Sequence, residues 1–289
     1  MSLTRSFRAS PRRRRRQRVD WRRVARRARA LSRKLLAWTR AGYRWLRRSH
    51  PAVGIPVAAV IVVGAWSATN FAYQVVRKPT LMLYPVSGVL RKSPAETWRQ
   101  YGPLFEQYST ATISAPLLAA LAQVEGSGNP VPQTYWRWRF SWNPFAIYRP
   151  ASSAVGMYQI TDGTFEEARH SCVHHHEVRE EGPWYDLRSC WFNGLYTRIL
   201  PAHAIELTSA HLDRKVEGLL ARRHAVATPE QKQSLAALIH LCGAGVGDLY
   251  VRRGFRLASG ERCGDHEAAG YLSRVGAMER EFAQLAESE

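Results

Sequence analysis

Three zones with different spacing of apolar residues divide the chain. In the first zone, apolar or small residues recur at steps of three and four with arginines between them, which predicts an amphipathic helix with one basic face. The recurring residues are Trp21, Val24, Ala28, Leu31, Leu35, Trp38, Gly42 and Trp45. Such a helix beside a membrane span lies on an anionic lipid surface. A simpler interpretation is that its arginines only fix the orientation of the span.

The second zone is apolar on all sides. Pro51–Trp66 is almost wholly apolar, and no charged residue other than His50 stands between Arg48 and Arg77. Because a helix of about 20 apolar residues crosses the hydrocarbon core of a bilayer, we predict a transmembrane helix over residues 51–76. A core helix of a soluble domain would not need so long an uncharged stretch.

The third zone, residues 94–289, shows repeated helical periodicity and few strand signals, which predicts a mainly α-helical domain. Ser93 and Ser114 are predicted helix N-caps, each followed by a proline in the first turn. Helical patterns are predicted at 94–108, 114–126, 161–171, 191–211, 212–225, 229–241 and 266–286. Residues 77–93 are predicted to form a linker or an extended lead-in, and residues 127–153 an aromatic loop.

The basic charge belongs to the N-terminal part of the chain. The 289 residues include 42 Lys and Arg and 23 Asp and Glu, a net charge of +19. Residues 1–50 contain 19 of the basic residues, with five consecutive arginines at 12–16, and a single acid, so they hold +18 of that charge. This distribution excludes a nucleic-acid-binding domain as an interpretation of the whole chain and leaves nucleic acid only as a partner of the tail. The 45% hydrophobic content excludes disorder throughout.

The charges that flank the span predict its orientation. Because Lys and Arg concentrate on the cytoplasmic side of a span, we expect residues 1–50 to form a cytoplasmic tail and the third zone to be exported. A cleaved signal peptide has a short basic region and a small-residue cleavage site, whereas this basic region covers nearly 50 residues. We therefore predict an uncleaved signal anchor over residues 51–76.

All four cysteines lie on the exported side, which favours disulfides in an oxidising compartment. Their spacing favours the local pairs Cys172 with Cys190 and Cys242 with Cys263, although four cysteines allow three connectivities. A zinc site is the alternative, because residues 174–176 are histidines close to Cys172. No Cys-x-x-Cys spacing supports it, so we expect no metal.

Glu125 is the strongest candidate for chemistry in the exported domain. It stands at the end of the otherwise apolar run LLAALAQVEG, so we expect partial desolvation of its carboxylate, which suits a general acid. Gly126 and Gly128 follow in a turn that a ligand can approach closely. A solvated glutamate at a helix end is the simpler interpretation. The aromatic residues of the following loop suit either stacking on sugar rings or packing of the loop, and they include Trp136, Trp138, Trp142 and Tyr148.

Four segments resemble, in the same order, the motifs of the soluble lytic transglycosylase (SLT) domain. Residues 117–130 (LLAALAQVEGSGNP) resemble the family's apolar helix that ends in Glu-Ser, with Asn-Pro shortly after. Residues 152–161 (SSAVGMYQIT) resemble its Gly-Leu-Met-Gln-Leu motif. Residues 243–247 are similar to its Tyr-Asn-Ala-Gly-Pro-Gly turn, and residues 267–275 to its Glu-Thr-x-x-Tyr-x-x-x-Val helix.

The chain departs from these motifs at several positions. Gly126 stands where the family has Ser after the catalytic Glu, with Ser127 one position later, and Tyr158 replaces the family's Met. Cys242 and Gly243 replace the Tyr-Asn pair, so no side-chain contact is carried over there. The Asn-Pro pair occurs twice, at 129–130 and at 143–144. Either pair is a candidate counterpart of the family's Asn-Pro pair.

The resemblance implies a lysozyme-like helical fold and cleavage of the MurNAc–GlcNAc bond of peptidoglycan with formation of 1,6-anhydro-muramyl ends. It implies that Glu125 is the single acid/base and that no cofactor takes part. Around the substrate it places Ser127, Gly156, Tyr158, Gln159 and Tyr271.

Each of these residues receives a role from the resemblance. Tyr158 and Gln159 line the sugar groove, and Gly156 allows close approach. Tyr271 forms a hydrogen bond near Glu125 and holds it in place, and Ser127 stands in for the missing Ser. The alternative for the two tyrosines is that they are ordinary core aromatics.

A lysozyme-type hydrolase is an alternative that requires a second carboxylate facing Glu125. Asp162, Glu166 and Glu167 follow the second motif and are the candidates. We favour a helix N-cap as the role of Asp162.

The resemblance and the span together imply a single-pass protein of the bacterial inner membrane with its catalytic domain in the periplasm. Its expected partners are peptidoglycan glycan strands, the inner membrane and an envelope-spanning secretion or conjugation complex. Two alternatives remain: a non-catalytic peptidoglycan-binding scaffold, and a recruitment protein whose arginine tail binds DNA, RNA or a protein.

Overall fold

A computed structural model describes residues 21–183, 185–186 and 189–288 of the chain. The arginine run at 12–16 therefore lies outside the described residues. The chain divides into two units: unit 1 ends at Thr69 and unit 2 begins at Asn70.

The described part of unit 1, residues 21–69, is almost entirely helical. Helix α1 spans Trp21–Arg48, and helix α2, Pro51–Arg77, begins in unit 1 and ends in unit 2. Helix α2 is long and apolar enough to cross a membrane, with a mean hydropathy of 1.9 over its most apolar window. Its apolar side chains, including Val60 and Ile61, are exposed, unlike those of a buried core helix. The predicted span is thus a single continuous helix, one residue longer than expected.

The predicted linker at 77–93 is instead a chain of short helical turns. Pro79–Leu83 and Gly88–Leu90 are 3₁₀ turns, and Tyr84–Ser87 is one turn of α-helix, α3. The buried amide of Asn129 donates to the carbonyl of Ser87 at 2.7 Å, and the Ser87 hydroxyl donates to the Val131 carbonyl at 2.7 Å. These long-range hydrogen bonds hold the turns, and the local sequence pattern does not reveal them.

Most of unit 2 is a helical core built around one enclosed helix. Helix α5, Ala115–Gly126, packs against α4, Pro94–Gln107, and α11, Ala268–Ser288. Every residue from Leu117 to Ala122 has 0% exposure, so α5 is buried on all sides. Its N-terminus is capped by the Ser114 hydroxyl, and α4 begins with a capping box in which Ser93 and Glu96 exchange hydrogen bonds.

The other helices show where the predicted boundaries were wrong. Residues 191–211 and 212–225 are not two helices: Trp191–Leu195 is a 3₁₀ turn, and Pro201–Arg223 is one helix, α8. Helix α7 spans Asp162–Ala168, and helix α9 spans Pro229–Cys242.

Helix α10, Ala244–Arg252, was not predicted, because its first residues are glycine-rich and resemble a turn. Tertiary packing supports it: a Cβ on Gly247 would lie 2.7 Å from the Ile239 side chain. The close approach of α10 to α9 therefore outweighs the low helix propensity of glycine.

Among the described residues, three antiparallel hairpins accompany the helical core. Within the predicted aromatic loop, β1 (Trp136–Trp138) pairs with β2 (Tyr148–Pro150), and a short helix, α6 (Pro144–Ile147), lies between them. The other two hairpins are β3 with β4 and β5 with β6, formed by Ser171–His174, Glu177–Glu180, Arg262–Cys263 and His266–Glu267.

Both local disulfides predicted from the spacing are present. Cys172 is bonded to Cys190, and Cys242 is bonded to Cys263. Of the histidines considered for zinc, His174 ends β3, and His175 and His176 form the turn to β4 with left-handed backbone angles. Within the described part of the chain, no group of three or more His, Cys, Asp or Glu side chains is arranged to hold a metal.

We predict that the stability of the fold decreases in mild acid through His211 of α8. Burial lowers the pKa of His211 from 6.5 to about 4. The unfolded chain therefore binds this proton before the folded chain does. The stabilising contribution is complete above pH 6.5 and is lost as the pH falls towards 4. In thermal unfolding in detergent, His211→Gln is expected to lose less stability than the wild type between pH 7.5 and about 5. Equal losses in both proteins would contradict this assignment.

Candidate active site

Helix α5 places Glu125 where the core meets the surface. Two residues before it, the side chain of Gln123 accepts a hydrogen bond from the Thr97 hydroxyl at 2.8 Å and donates to the Lys92 carbonyl at 2.9 Å. These bonds join the end of α5 to helix α4 and to Lys92, the residue before the N-cap of α4. Ser127 then ends the helix in a left-handed conformation with φ of 53°. The position of Glu125 is thus fixed by a helix that is enclosed along most of its length.

The carboxylate of Glu125 is held by a buried tyrosine. The Tyr271 hydroxyl of α11 donates a hydrogen bond to Glu125 Oε1 at 2.7 Å. The side chain of Glu125 is 20% exposed, whereas Tyr271 is 2% exposed. Burial, together with the negative charge of Glu125, raises the pKa of Tyr271 well above its ordinary value. The tyrosine therefore remains a neutral donor, and the hydrogen bond predicted between the two residues is present.

A histidine that the sequence analysis missed is the second neighbour of Glu125. His240 Nε2 of α9 lies 4.0 Å from Glu125 Oε1, and the histidine side chain is 12% exposed. Burial lowers the pKa of His240, although the charge of Glu125 and a hydrogen bond to the Tyr158 backbone act in the opposite direction. His240 is therefore neutral near pH 7. The only signal in the sequence is a lone histidine in the apolar run LAALIHLC.

Tyr158 forms the buried floor of this site. It is 0% exposed, its hydroxyl donates to the Leu118 carbonyl at 3.0 Å, and its ring packs edge-on to that of His240. It is one of the core aromatics, so its predicted place on the surface of a sugar groove does not agree with its burial. Its contacts support α5 and His240 from below.

Gly126 explains one departure from the family motif. A Cβ at this position would lie 2.8 Å from the carbonyl oxygen of Met157. The end of α5 thus rests directly on the 156–160 turn, and a serine would not fit at position 126 in this packing. The Ser127 N–H donates to the carbonyls of Ala122 and Gln123. In the described part of the chain, the partners of the Glu125 carboxylate are Tyr271 and His240, and the Ser127 hydroxyl forms no hydrogen bond to it.

The 156–160 turn is stabilised by its own chain. Gly156 has φ of 83°, and a Cβ there would lie 1.9 Å from the Arg198 carbonyl oxygen. The close approach predicted at Gly156 is therefore made by the Arg198 backbone. Gln159 also has a positive φ, 49°, and its side-chain amide donates to the Gly156 carbonyl at 3.0 Å. Gln159 remains partly exposed near the surface of the turn.

The candidate second carboxylates are all paired with cations. Asp162 Oδ1 lies 2.8 Å from Arg198 Nη2. The other two pairs are Glu166 with Arg169 and Glu167 with Lys215. The N-cap of α7 is Thr161, so the role predicted for Asp162 as the cap was wrong; Asp162 is the first residue of the helix.

A cavity of about 440 Å³ lies elsewhere in unit 2 and is lined by residues that include Arg77, Arg149, Asp162 and Arg198. Glu125 is not among its lining residues. We assign the candidate site to Glu125 because a groove for a long polymer is open at its ends and need not form a closed cavity.

Comparison of the chain with protein-family models, with curated proteins and with solved structures found no match. The candidate site therefore stands on its residues and their geometry alone.

We predict that Gly156→Ala is strongly destabilising. The added Cβ meets a backbone oxygen that cannot move independently, and the backbone angle is itself unfavourable for alanine. Strain at such a position costs on the order of 1–3 kcal/mol before the steric overlap is counted. The expected result is a Tm lower by about 5 °C or more. Gly245→Ala is the matched control, since a Cβ there meets nothing within 4 Å and lies in helix α10. Equal melting temperatures for both variants would contradict the observed packing of the turn.

Proposed function

We propose that the chain is a peptidoglycan lytic transglycosylase whose unit 2 is a catalytic domain of lysozyme-like type. One observation carries the proposal: the Glu125 carboxylate, at the end of an enclosed helix, accepts a hydrogen bond from the neutral hydroxyl of Tyr271 at 2.7 Å. A partly buried acid held in one orientation by a neutral donor has the properties of a general acid/base. The sequence motifs around Glu125 and Tyr271 supply the identity of the substrate.

In the proposed reaction, Glu125 acts first as an acid and then as a base. It donates its proton to the glycosidic oxygen as the bond from that oxygen to C1 of MurNAc breaks. The substrate's own 6-hydroxyl then attacks C1, assisted by the N-acetyl group, and its proton returns to Glu125. Tyr271 keeps the carboxylate in place during both steps. His240, whose pKa is lowered by burial, lies beside the carboxylate as a neutral neighbour.

The arrangement of the other carboxylates supports an intramolecular attack by the substrate. Hydrolytic glycosidases use two carboxylates on either side of the scissile bond, about 5–9.5 Å apart. The three candidates for a second carboxylate pair with Arg198, Arg169 and Lys215. A single acid/base is sufficient when the nucleophile is a hydroxyl of the substrate itself.

The membrane anchor and the disulfides support a location at the bacterial cell wall. Helix α2 has the length and composition of a span, and the two disulfides suit an oxidising compartment such as the periplasm. With the basic N-terminal part in the cytoplasm, unit 2 faces the wall. We propose that the enzyme opens the wall locally for a secretion or conjugation apparatus.

Replacing Glu125 by Gln should abolish cleavage. The amide keeps the size of the side chain but cannot donate or accept the catalytic proton, so release of soluble glycan from sacculi should fall by at least about 10²–10⁴-fold. Glu106→Gln, an exposed change on α4, is the control and should retain full activity. Binding to sacculi without cleavage by the wild type would favour the scaffold instead.

Replacing Tyr271 by Phe should weaken catalysis without abolishing it. The change removes one hydrogen bond to a charged group, which contributes about 1.5–3 kcal/mol, so the rate should fall by about 10- to 100-fold. Tyr101→Phe, another buried tyrosine, is the control and should leave the rate unchanged. A shift in the acidic limb of the pH–rate profile of Tyr271→Phe would identify a role through Glu125. An unchanged rate and profile would remove Tyr271 from the mechanism.

A further inference from the structure

The hydrophobic side chains that unit 2 exposes are concentrated in one part of its sequence. Among the described residues of the unit, eleven of the seventeen exposed large hydrophobic side chains lie between Phe71 and Trp142. Phe140 and Trp142, in the loop that joins β1 to β2, are the most exposed, at 107% and 105%. A concentration of this kind on a soluble domain marks a surface that is covered by something else.

Part of this region packs against the last turns of α2. The ring of Phe71 stacks on that of Trp136 at 6.2 Å, and the ring of Tyr73 stacks on that of Phe145 at 4.8 Å. The buried side chain of Gln74 donates to the Phe145 carbonyl at 2.7 Å. The β1–β2 hairpin is therefore fixed to residues that belong to the proposed membrane helix itself.

The turns that follow α2 belong to the same region. The Tyr84 hydroxyl donates to the Thr134 carbonyl at 3.1 Å and accepts from the Thr134 N–H at 3.0 Å. On these turns Met82, Val86 and Val89 are exposed, at steps of four and three residues. Three segments that pack together, namely 70–77, 79–90 and 134–150, thus all expose apolar side chains.

The charge of these segments has a single sign. Residues 70–90 and 134–150 together contain five Lys and Arg and no Asp or Glu. In the hairpin, Arg137 stands directly opposite Arg149. Two like charges in register are unfavourable unless an anion lies close to them. The combination of exposed aromatic rings and uncompensated arginines matches the boundary between acyl chains and phosphate groups of a bilayer.

Sugar rings are a less suitable occupant of this surface, because aromatic rings of the hairpin already stack on one another. The ring of Trp138 stacks on Tyr148 at 4.6 Å, and that of Trp136 lies 5.1 Å from the same tyrosine. The most exposed rings, those of Phe140 and Trp142, lie in the connecting loop and not on this aromatic stack.

We propose that unit 2 has a second contact with the membrane, an interfacial surface made of exposed apolar residues and arginines. The surface consists of Met82, Val86, Val89, Phe140 and Trp142, with Arg137 and Arg139. It inserts its aromatic side chains among the lipid headgroups of the bilayer that α2 spans, while the arginines contact phosphates. This inference rests on the membrane anchorage proposed above and is independent of the catalytic activity.

The test is photo-crosslinking of the full chain in vesicles of phosphatidylethanolamine and phosphatidylglycerol. p-Benzoylphenylalanine replaces one residue at a time: Phe140, Trp142, Val60 in the middle of α2, or Val226. Val226 is the negative control, since it is 95% exposed and lies outside the interfacial surface. After irradiation, lipid adducts are counted by mass spectrometry of the peptides. We expect Phe140 and Trp142 to give at least about tenfold more adduct than Val226.

Adduct yields at Phe140 and Trp142 equal to the yield at Val226, with strong labelling at Val60, would overturn the interfacial surface and leave the anchor intact. Absence of adduct at Val60 would overturn the anchorage on which the inference rests.

The double variant F140S/W142S tests whether the surface binds glycan instead of lipid. In detergent it should bind and cleave sacculi as the wild type does, and a loss of sacculus binding would assign the surface to glycan.

Discussion

The structure of unit 2 depends on helix α5, which is buried on all sides and carries the partly exposed carboxylate of Glu125 at its end. Leu117–Ala122 are buried on every side, so the axial and rotational position of the helix is fixed by close packing. Glu125 therefore reaches the surface at one place, where Tyr271 satisfies its oxygen at 2.7 Å. A buried hydroxyl and a partly buried carboxylate each need the other as a partner, because leaving either without one costs the desolvation free energy.

The disulfide between Cys242 and Cys263 strengthens this arrangement from a distance. Cys242 is the last residue of α9, two positions after His240, and Cys263 lies in the β5–β6 hairpin that leads directly into α11. Since α11 carries Tyr271, the bond joins the two elements that deliver the two neighbours of Glu125. Cys242, one of the positions at which the chain differs from the SLT motif it resembles, thus has a structural role.

The sequence predicted those features that depend on local pattern. The caps at Ser93 and Ser114, the end of α5, the long apolar helix α2 and the local disulfides all follow from residue type and spacing. It failed where long-range packing decides the outcome. Nothing near Tyr158 in the sequence indicates that its hydroxyl bonds to Leu118, and nothing near Gly156 indicates that the carbonyl of Arg198 lies against it.

The same distinction applies to the turns between α2 and α4. Their sequence, with Pro79, Pro85 and Gly88, predicts a linker, but hydrogen bonds to Asn129 and Thr134 hold them in helical form. These turns, the last turns of α2 and residues 135–142 carry eleven of the seventeen exposed large hydrophobic side chains described in unit 2. An enzyme whose domain rests on the membrane would cut glycan strands close to the membrane, as expected for the local opening of the wall.

The chemical identity of the newly formed sugar end tests the central claim most directly. Purified full-length protein in detergent would be incubated with sacculi, and the soluble products would be analysed by mass spectrometry. A lytic transglycosylase must release muropeptides with 1,6-anhydro-muramyl ends, lighter by one water than the corresponding reducing ends. Products with reducing ends alone would contradict the account, because they require a water nucleophile activated by a residue other than those proposed here.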